Sequence, residues 1–312
     1  MNRAVCLPRF GGPEVLSVER IAIPRPAGDE ILVRVKAASL NPVDFKMRRG
    51  GYPAVPPERL PIVLGRDLAG TIESLGARGH PTLAAGDAVF AFIANDRGAQ
   101  ADFVVAKGSE VVAMPGALDW VHAAAVPLAA ITAWQGLFDH GGLAAGQRVL
   151  IHGGAGGVGH LAIQLAKAKG ATVFATASAG DLDFVCGLGA DTAIDYRNER
   201  FEDVANDIDL VFDLVAGETQ DRSWAVLRKG GIIVSTLKAP DMDKAAALGM
   251  RSAPRYMARP DAGQLAEIAA LIEAGKVRVE IARTYPLERV ADAHARLEKG
   301  GLRGKIVLTL DA

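Results

Sequence analysis

The chain has 312 residues, half of them apolar, which is more than one ordinary core accommodates and fits two domains. Lysine plus arginine number 35 against 36 acids, a net charge of -1. Nothing in that balance draws the chain to nucleic acid or to an anionic membrane, so a small-molecule substrate is the expected partner.

In chain order, the segment up to about Trp120 reads as strands. EILVRVKAASL alternates Ile31, Val33 and Val35 against Leu32, Arg34 and Lys36, and RDLAGTIESLG, DAVFAFI and ADFVVAK follow between Gly and Pro breaks. From about Ala123 the pattern becomes apolar strands alternating with helical segments: RVLIHGG, GVGHLAIQLAKAKG, TVFATAS, DTAIDY, DLVFDLV and GGIIVSTL. Such alternation predicts a parallel sheet covered on both faces, inserted in the middle of the chain. GGIIVSTL is apolar enough to need covering if it lies near a sheet edge. After about Met257 the pattern predicts a helix at GQLAEIAALIEAG, a strand near VRVEIA, a helix at ERVADAHARLEKG and a last strand GKIVLTL.

The longest apolar stretch, residues 123–138, is shorter than a membrane span and is broken by Pro127, Thr132, Gln135 and Gly136. The N-terminal stretch has no uninterrupted apolar core of the signal-peptide kind. Cys6 and Cys186 form no paired spacing, so neither a disulfide framework nor a thiolate zinc site is expected, and Cys186 within FVCGLGA reads as a buried structural thiol. A soluble cytoplasmic protein is predicted.

The run VLIHGGAGGVGHLAIQLAKAKGATVFATAS places G-x-G-x-x-G at Gly154, Gly156 and Gly159 between an apolar strand and an amphipathic helix. That context turns a common hexapeptide into a dinucleotide fingerprint. Glycine lets the backbone turn tightly and approach a pyrophosphate, whose charge sits at the helix N-terminus. About 20 residues beyond Gly159, where an NAD-binding fold carries its ribose acid, stands Ser178. A serine donates to a 2′-phosphate that Asp or Glu would repel. Asp181, three residues on, reads as the N-cap of a helix beginning at Leu182.

The histidines show no H-x-x-x-H pair, and no G-x-S-x-G elbow occurs, so metal hydrolysis and acyl transfer lack candidates. His152 reads as a packed or hydrogen-bonded histidine. What remains is hydride chemistry, in which a cofactor carries the reaction. Asn41 and Asp44, after a strand broken by Pro42, are placed either in a cleft or in a turn that bonds its own backbone.

Together, AVCLPRFGGPEVLSVE, AASLNPVDFKMRRGGYP, LPIVLGRDLAGTIESLG, AAAVPLAAITAWQGL, HGGAGGVGHLAIQLAKAKGA, LGADTAIDYR and LRGKIVL resemble the zinc-independent quinone oxidoreductase branch of the medium-chain dehydrogenase/reductase superfamily. The resemblance covers essentially the whole chain. It implies an α/β fold, with a GroES-like β domain from residues 1–122 and 259–312 and a doubly wound parallel-sheet Rossmann domain from residues 123–258. Where zinc relatives carry a ligand cysteine this chain has Asn41, and where they carry G-H-E it has Gly65, Arg66 and Asp67.

The resemblance further implies NADP(H) as cofactor, no metal, and a homodimer. It puts Asn41, Asp44, Tyr52 and Thr132 near the nicotinamide and substrate. Around the dinucleotide it places Gly154, Ala155, Gly156, Gly157, Val158, Gly159, Thr176, Ser178, Tyr196, Leu214 and Lys305, with Arg197 beside Tyr196 at the adenosine phosphate. The implied activity is hydride transfer from NADPH to a quinone, an enone or a related activated carbonyl compound. The alternatives are an NADPH-binding regulatory or structural protein without turnover, and an enoyl-thioester reductase.

Overall fold

A computed structural model describes residues 1–310. The chain divides into two compact units, Met1–Ala129 with Pro260–Glu273 and Val279–Ala312, and Ala130–Arg259 with Ala274–Arg278.

The first unit is built on two sheets. β1 (Asn2–Leu7), β2 (Ser17–Ile21) and, later in the chain, the two-residue β4 (Ile62–Val63) make an antiparallel three-stranded sheet in the order β2-β1-β4, which β3 (Glu30–Leu40) does not join. β3 is the longest strand of the unit and the spine of a seven-stranded sheet, pairing with β5 (Asp67–Leu75), which pairs with β6 (Ala88–Phe92). β7 (Phe103–Lys107) also pairs with β3, and β8 (Val111–Ala113) with β6. The alternation read from the sequence is met at Ile31, Val33 and Val35, all buried, and register shifts at Leu32/Val33 and Val35/Ala37 let the strand curl around the core. α1 (Pro42–Arg48) leaves directly from the end of β3, and α2 (Trp120–Ala125) packs its alanine face on β3 and β5.

The second unit begins within α3 (Pro127–Trp134), which runs into a π-helical turn at Gln135–His140. Its sheet is parallel throughout. β9 (Arg148–His152), α4 (Gly159–Ala168), β10 (Thr172–Ala177), α5 (Leu182–Gly187), β11 (Thr192–Asp195), α6 (Phe201–Val204), β12 (Ile208–Asp213), α7 (Glu218–Arg222), β13 (Leu227–Ser235), α8 (Met242–Ala247) and β14 (Arg251–Ser252) alternate along the chain. The strand order is β11-β10-β9-β12-β13-β14, with the reversal between β9 and β12, the place where open α/β sheets bind ligands at their strand ends. Leu150, Ile194, Val211 and Ile233, one on each of four strands, are completely buried, as a sheet covered on both faces requires. GGIIVSTL is not the edge: β13 is covered by the two-residue β14 at Ile232 and Ile233.

The chain then supplies α9 (Ala262–Glu273), β15 (Ile281–Pro286), α10 (Val290–Glu298) and β16 (Lys305–Thr309). The strand expected near VRVEIA starts later, at Ile281. Val277 and Val279 are buried and so produce the alternation, but the backbone of Arg278 between them is held by a side chain. Gln164 donates from Nε2 to the Arg278 carbonyl and accepts from its N–H, both at 2.8 Å. Gln135 clamps Arg259 in the same way, at 3.0 Å in each direction.

Cys186 is exposed, contrary to the reading of it as a buried thiol; the neighbouring Val185 takes the inward position on α5, and one residue is about 100° of helix rotation. Cys6 is buried, and that burial raises its thiol pKa. A disulfide-exchange reagent therefore modifies one thiol rapidly in the native protein and a second only after unfolding. Two fast thiols, or none, in a stopped-flow titration contradict this placement.

Candidate active site

The glycine loop follows β9 and opens α4. Gly153 sits at φ +75, a left-handed turn that favours glycine, and the Gly154 N–H donates to the Thr176 carbonyl at 2.8 Å. The three fingerprint glycines do different work. A Cβ on Gly159 would stand 2.2 Å from the Gly153 carbonyl oxygen, so the helix packs against the loop only through bare backbone. A Cβ on Gly154 would press on Ala175 at 3.0 Å and Ile163 at 3.2 Å. A Cβ on Gly156 would meet only the Gly153 oxygen, at an ordinary 3.4 Å. Internal packing therefore demands glycine at the first and third places but not at the second. The second is where a bound pyrophosphate requires it. Val158, at the N-cap of α4, provides no side-chain cap, which leaves first-turn amides for an anion. The residues present fit a dinucleotide: Gly154, Ala155, Gly156, Gly157, Val158 and Gly159 form the cradle.

Thr176 lies behind this loop. Its hydroxyl accepts from the Gly153 N–H at 3.2 Å and lies 3.2 Å from Nδ1 of His152, whose Nε2 is 3.0 Å from the Ser223 hydroxyl. Ser223 donates to the Thr219 carbonyl at 2.7 Å, so it must accept from Nε2–H; Nδ1 is then bare and accepts from Thr176. Only the neutral Nε2–H tautomer satisfies the whole chain. Burial, foremost, lowers the His152 pKa to about 4, in keeping with that state. His152 is thus a packed, hydrogen-bonded residue, as the sequence suggests. Leu214 stands beside the same loop, with its Cβ 3.8 Å from where a Gly153 Cβ would be. Its turn is held by Asp213, whose Oδ1 accepts from Val215 and Ala216 at 3.0 and 2.8 Å.

At the neighbouring strand ends, Ser178 follows β10 and Tyr196 follows β11, with the Tyr196 N–H donating to the Ala177 carbonyl at 3.2 Å. Tyr196 is 54% exposed, and the Arg197 guanidinium lies 5.5 Å above its ring while donating to its hydroxyl at 3.2 Å. Asp181 stands at the N-cap position of α5, where the sequence reading put it, but its side chain makes no cap bond. Its backbone, at φ -115 and ψ 1, lacks the extended conformation of an N-cap. Its carboxylate instead accepts from the Ser178 hydroxyl at 2.6 Å.

In the first unit the residues that follow β3 enter a buried polar cluster. Asn41 is the N-cap of α1, and the Asp44 carboxylate accepts from the Asn41 N–H at 2.7 Å. The Asn41 amide faces inward, donating to Asp67 at 2.8 Å and accepting from the Lys305 ammonium. Asp67 is the hub: it also accepts from the Ser39 hydroxyl and the Leu128 N–H, both at 2.6 Å, and lies 3.9 Å from Lys305. Lys305 is 4% exposed and donates to the Leu40 carbonyl at 3.0 Å; burial lowers its pKa against the pull of Asp67 and Asp44. Asp44 is completely buried with Oδ1 unpartnered, and burial raises its pKa to about 7, against the opposing bond from Asn41. Ser39 escaped the sequence reading, and Asp67 is named there only as standing where zinc relatives carry G-H-E, with no role given to it. The available signal was a charged residue opening an otherwise apolar strand, DLAGTI. The Tyr52 ring is buried in the core of the first unit, and Thr132 lies on α3 of the second, its carbonyl accepting from the Tyr256 hydroxyl at 2.6 Å.

A GroES-like unit and a doubly wound parallel sheet with a glycine cradle at its strand ends define the medium-chain dehydrogenase/reductase architecture. Residues 27–116 match the alcohol dehydrogenase GroES-like domain, and residues 188–308 match a model described as zinc-binding dehydrogenase. The chain is 35% identical to 2-methylene-furan-3-one reductase of Solanum lycopersicum, over 96% of this chain and 76% of that protein. It is 36% identical to the NADPH-dependent alkenal/one oxidoreductase, chloroplastic, of Arabidopsis thaliana, over 96% and 77%. Among solved structures, the Coxiella burnetii quinone oxidoreductase superposes with a TM-score of 0.89 at 33% identity, covering 99% of each chain. The Escherichia coli quinone oxidoreductase complexed with NADPH does so at 0.88 and 28%, covering 99% of this chain and all of that one. The chain belongs to the quinone oxidoreductase branch of the medium-chain dehydrogenase/reductase superfamily. Among the described residues no helix is long and apolar enough to cross a membrane, and no group of three His, Cys, Asp or Glu side chains is placed to hold a metal ion.

Proposed function

We propose that this protein is a zinc-independent reductase that uses NADPH to reduce a quinone, an enone or a related activated carbonyl compound. The observation that carries the reading is the glycine cradle, in which Gly156 alone of the three fingerprint glycines has no internal packing reason to lack a side chain. When bound, the dinucleotide supplies the hydride; the chain binds it, orients it and excludes water. The cradle amides take the pyrophosphate, Leu214 and Thr132 flank the nicotinamide end, and Tyr196 offers its ring face at the adenosine end.

Independence from zinc is supported by the Asn41 surroundings. Asn41 and Asp67 are already bonded around a buried lysine ammonium, which also acts electrostatically on Asp44 and would repel a divalent cation. The Asn41 amide is committed to Asp67 and Lys305, while its N–H, held by Asp44, fixes the turn at the start of α1. A cytoplasmic homodimer completes the proposal, with the open edge at β14 as the pairing surface.

The test is NADPH oxidation in the presence of simple enones, quinones and aldehydes, with NADH and chelator controls. Turnover with an enone or quinone that survives chelation is expected; zinc-dependent alcohol oxidation, or NADPH binding without any turnover, overturns the proposal. For the 2′-phosphate, Asp181 is the opposing charge and Arg197 the attracting one. Asp181→Asn therefore raises the NADPH-to-NADH ratio of kcat/KM by about three- to tenfold, equivalent to about 0.6–1.4 kcal/mol, and Arg197→Gln lowers it. An unchanged ratio in both variants places the phosphate elsewhere.

A further inference from the structure

The first unit contains a cavity of about 430 Å³, within the range of small-molecule sites, and the glycine cradle has no part in its wall. Its wall includes Arg59, Arg66 and Arg97, with Met47, Ile62 and Val104 as apolar surface. Arg66 is 6% exposed. Its Nε donates to the Ile93 carbonyl at 2.8 Å and its guanidinium stacks 5.0 Å from the Phe92 ring centre. Those two contacts fix the plane of the fork. Among the described residues, nothing accepts a hydrogen bond from Nη1 or Nη2, and no carboxylate forms an ion pair with Arg66.

Arg59 adds a second, exposed charge at the rim. Its two Nη groups donate to the carbonyls of Ala54 and Asn95, at 2.7 and 3.2 Å, and no acid pairs with it. Arg97, by contrast, is neutralised by Asp96 at 3.0 Å and Glu110 at 3.4 Å. Asp44 is within electrostatic reach of Arg66, but no acceptor meets the two Nη groups, so the fork is open to an oxygen pair supplied from outside. The immobilised fork matches the two oxygens of a carboxylate.

We propose that this cavity is a binding site for a small organic carboxylate, with Arg66 as the bidentate recognition group, Arg59 as a supporting charge at the rim, and the apolar wall receiving the hydrocarbon body. The site is independent of the dinucleotide cradle, so its test needs no turnover and its failure leaves the hydride-transfer reading untouched.

The experiment is isothermal titration calorimetry of the full chain with 3-phenylpropionate and with 3-phenylpropionamide, which differ only in the charged group. The carboxylate is expected to bind at least tenfold more tightly than the amide. Arg66→Met, which keeps an apolar stem and removes the fork, should erase the difference. Arg66→Lys should keep charge attraction but lose the bidentate part, and so fall between the two. NADPH affinity and thermal unfolding of each variant report whether it is folded. If Arg66→Met does not fold, the acid-to-amide ratio in the unmodified protein still decides, with Arg59→Met expected to narrow it. Equal affinity for acid and amide, no binding of either, or a difference that survives in folded Arg66→Met overturns the proposal.

Discussion

Gly159→Ala should cripple both folding stability and dinucleotide binding, whereas Gly156→Ala should lower binding alone. The contrast follows from what each new methyl group would meet. At Gly159 the Cβ falls 2.2 Å from the Gly153 carbonyl oxygen and 2.9 Å from its carbon, both backbone atoms that cannot rotate away. The loop and the start of α4 must separate, an overpacking cost of about 1–3 kcal/mol or more, and the amides of the cradle move with them. At Gly156 the nearest atom is 3.4 Å away, so urea unfolding should stay within about 0.5 kcal/mol of the unmodified protein. Its methyl group would nonetheless stand where the pyrophosphate approaches the backbone. NADPH affinity, read by fluorescence titration, should fall by about ten- to a hundredfold, or 1.4–2.8 kcal/mol. If Gly156→Ala binds NADPH as well as the unmodified protein does, the phosphates are not held at this loop.

The second large effect belongs to Asp67. Asp67→Ala removes the acceptor for Ser39, Asn41 and the Leu128 N–H and leaves the Lys305 ammonium buried without its counter-charge. Breaking one side of a buried ion pair costs about 3–5 kcal/mol, largely because the remaining charge is stranded. Asp67→Ala combined with Lys305→Met should therefore be less destabilised than the sum of the two single changes. Strict additivity in denaturant unfolding would show that the two groups do not depend on each other.

The same cluster sets a pH dependence. The folded pKa of Asp44, about 7, lies above its ordinary 3.8, so the native state holds a proton that the unfolded chain has released. The stability this provides is fully present below about pH 4 and is lost as pH rises through 7. Asp44→Asn, which keeps an oxygen for the Asn41 N–H, should flatten that part of the profile. An unchanged slope between pH 4 and 8 in the variant assigns the dependence to other groups.

The legible parts of this protein are those whose cause lies within a few residues. The strands of the second unit are apolar runs separated by helical segments, and the loop after β9 is a glycine spacing between a strand and a helix, so element type, parallel sheet and glycine loop are all visible locally. The readings that failed depended on orientation. Cys186 and Val185 are adjacent in sequence, and only the packing of α5 decides which faces inward. Asp181 has the chemistry of a cap, but a backbone at ψ 1 turns its carboxylate to Ser178 instead. VRVEIA has the alternation of a strand, yet its second residue, Arg278, finds its hydrogen bonds on Gln164, 114 positions earlier.

The sequence by itself determined the class of fold, the glycine loop between β9 and α4 and the absence of metal-ligand spacing, because glycine spacing, apolar periodicity and side-chain type are local properties. Only the tertiary structure decided what surrounds Asn41 and Arg66. Asn41 meets Lys305 across 264 positions and Asp67 across 26, and no periodicity links them. Arg66 is a strand-flanking arginine in sequence; burial, a stacked ring and an open cavity make it a fixed charge with free donors. Burial sets the electrostatic cost of each group, and burial is a property of the assembled chain.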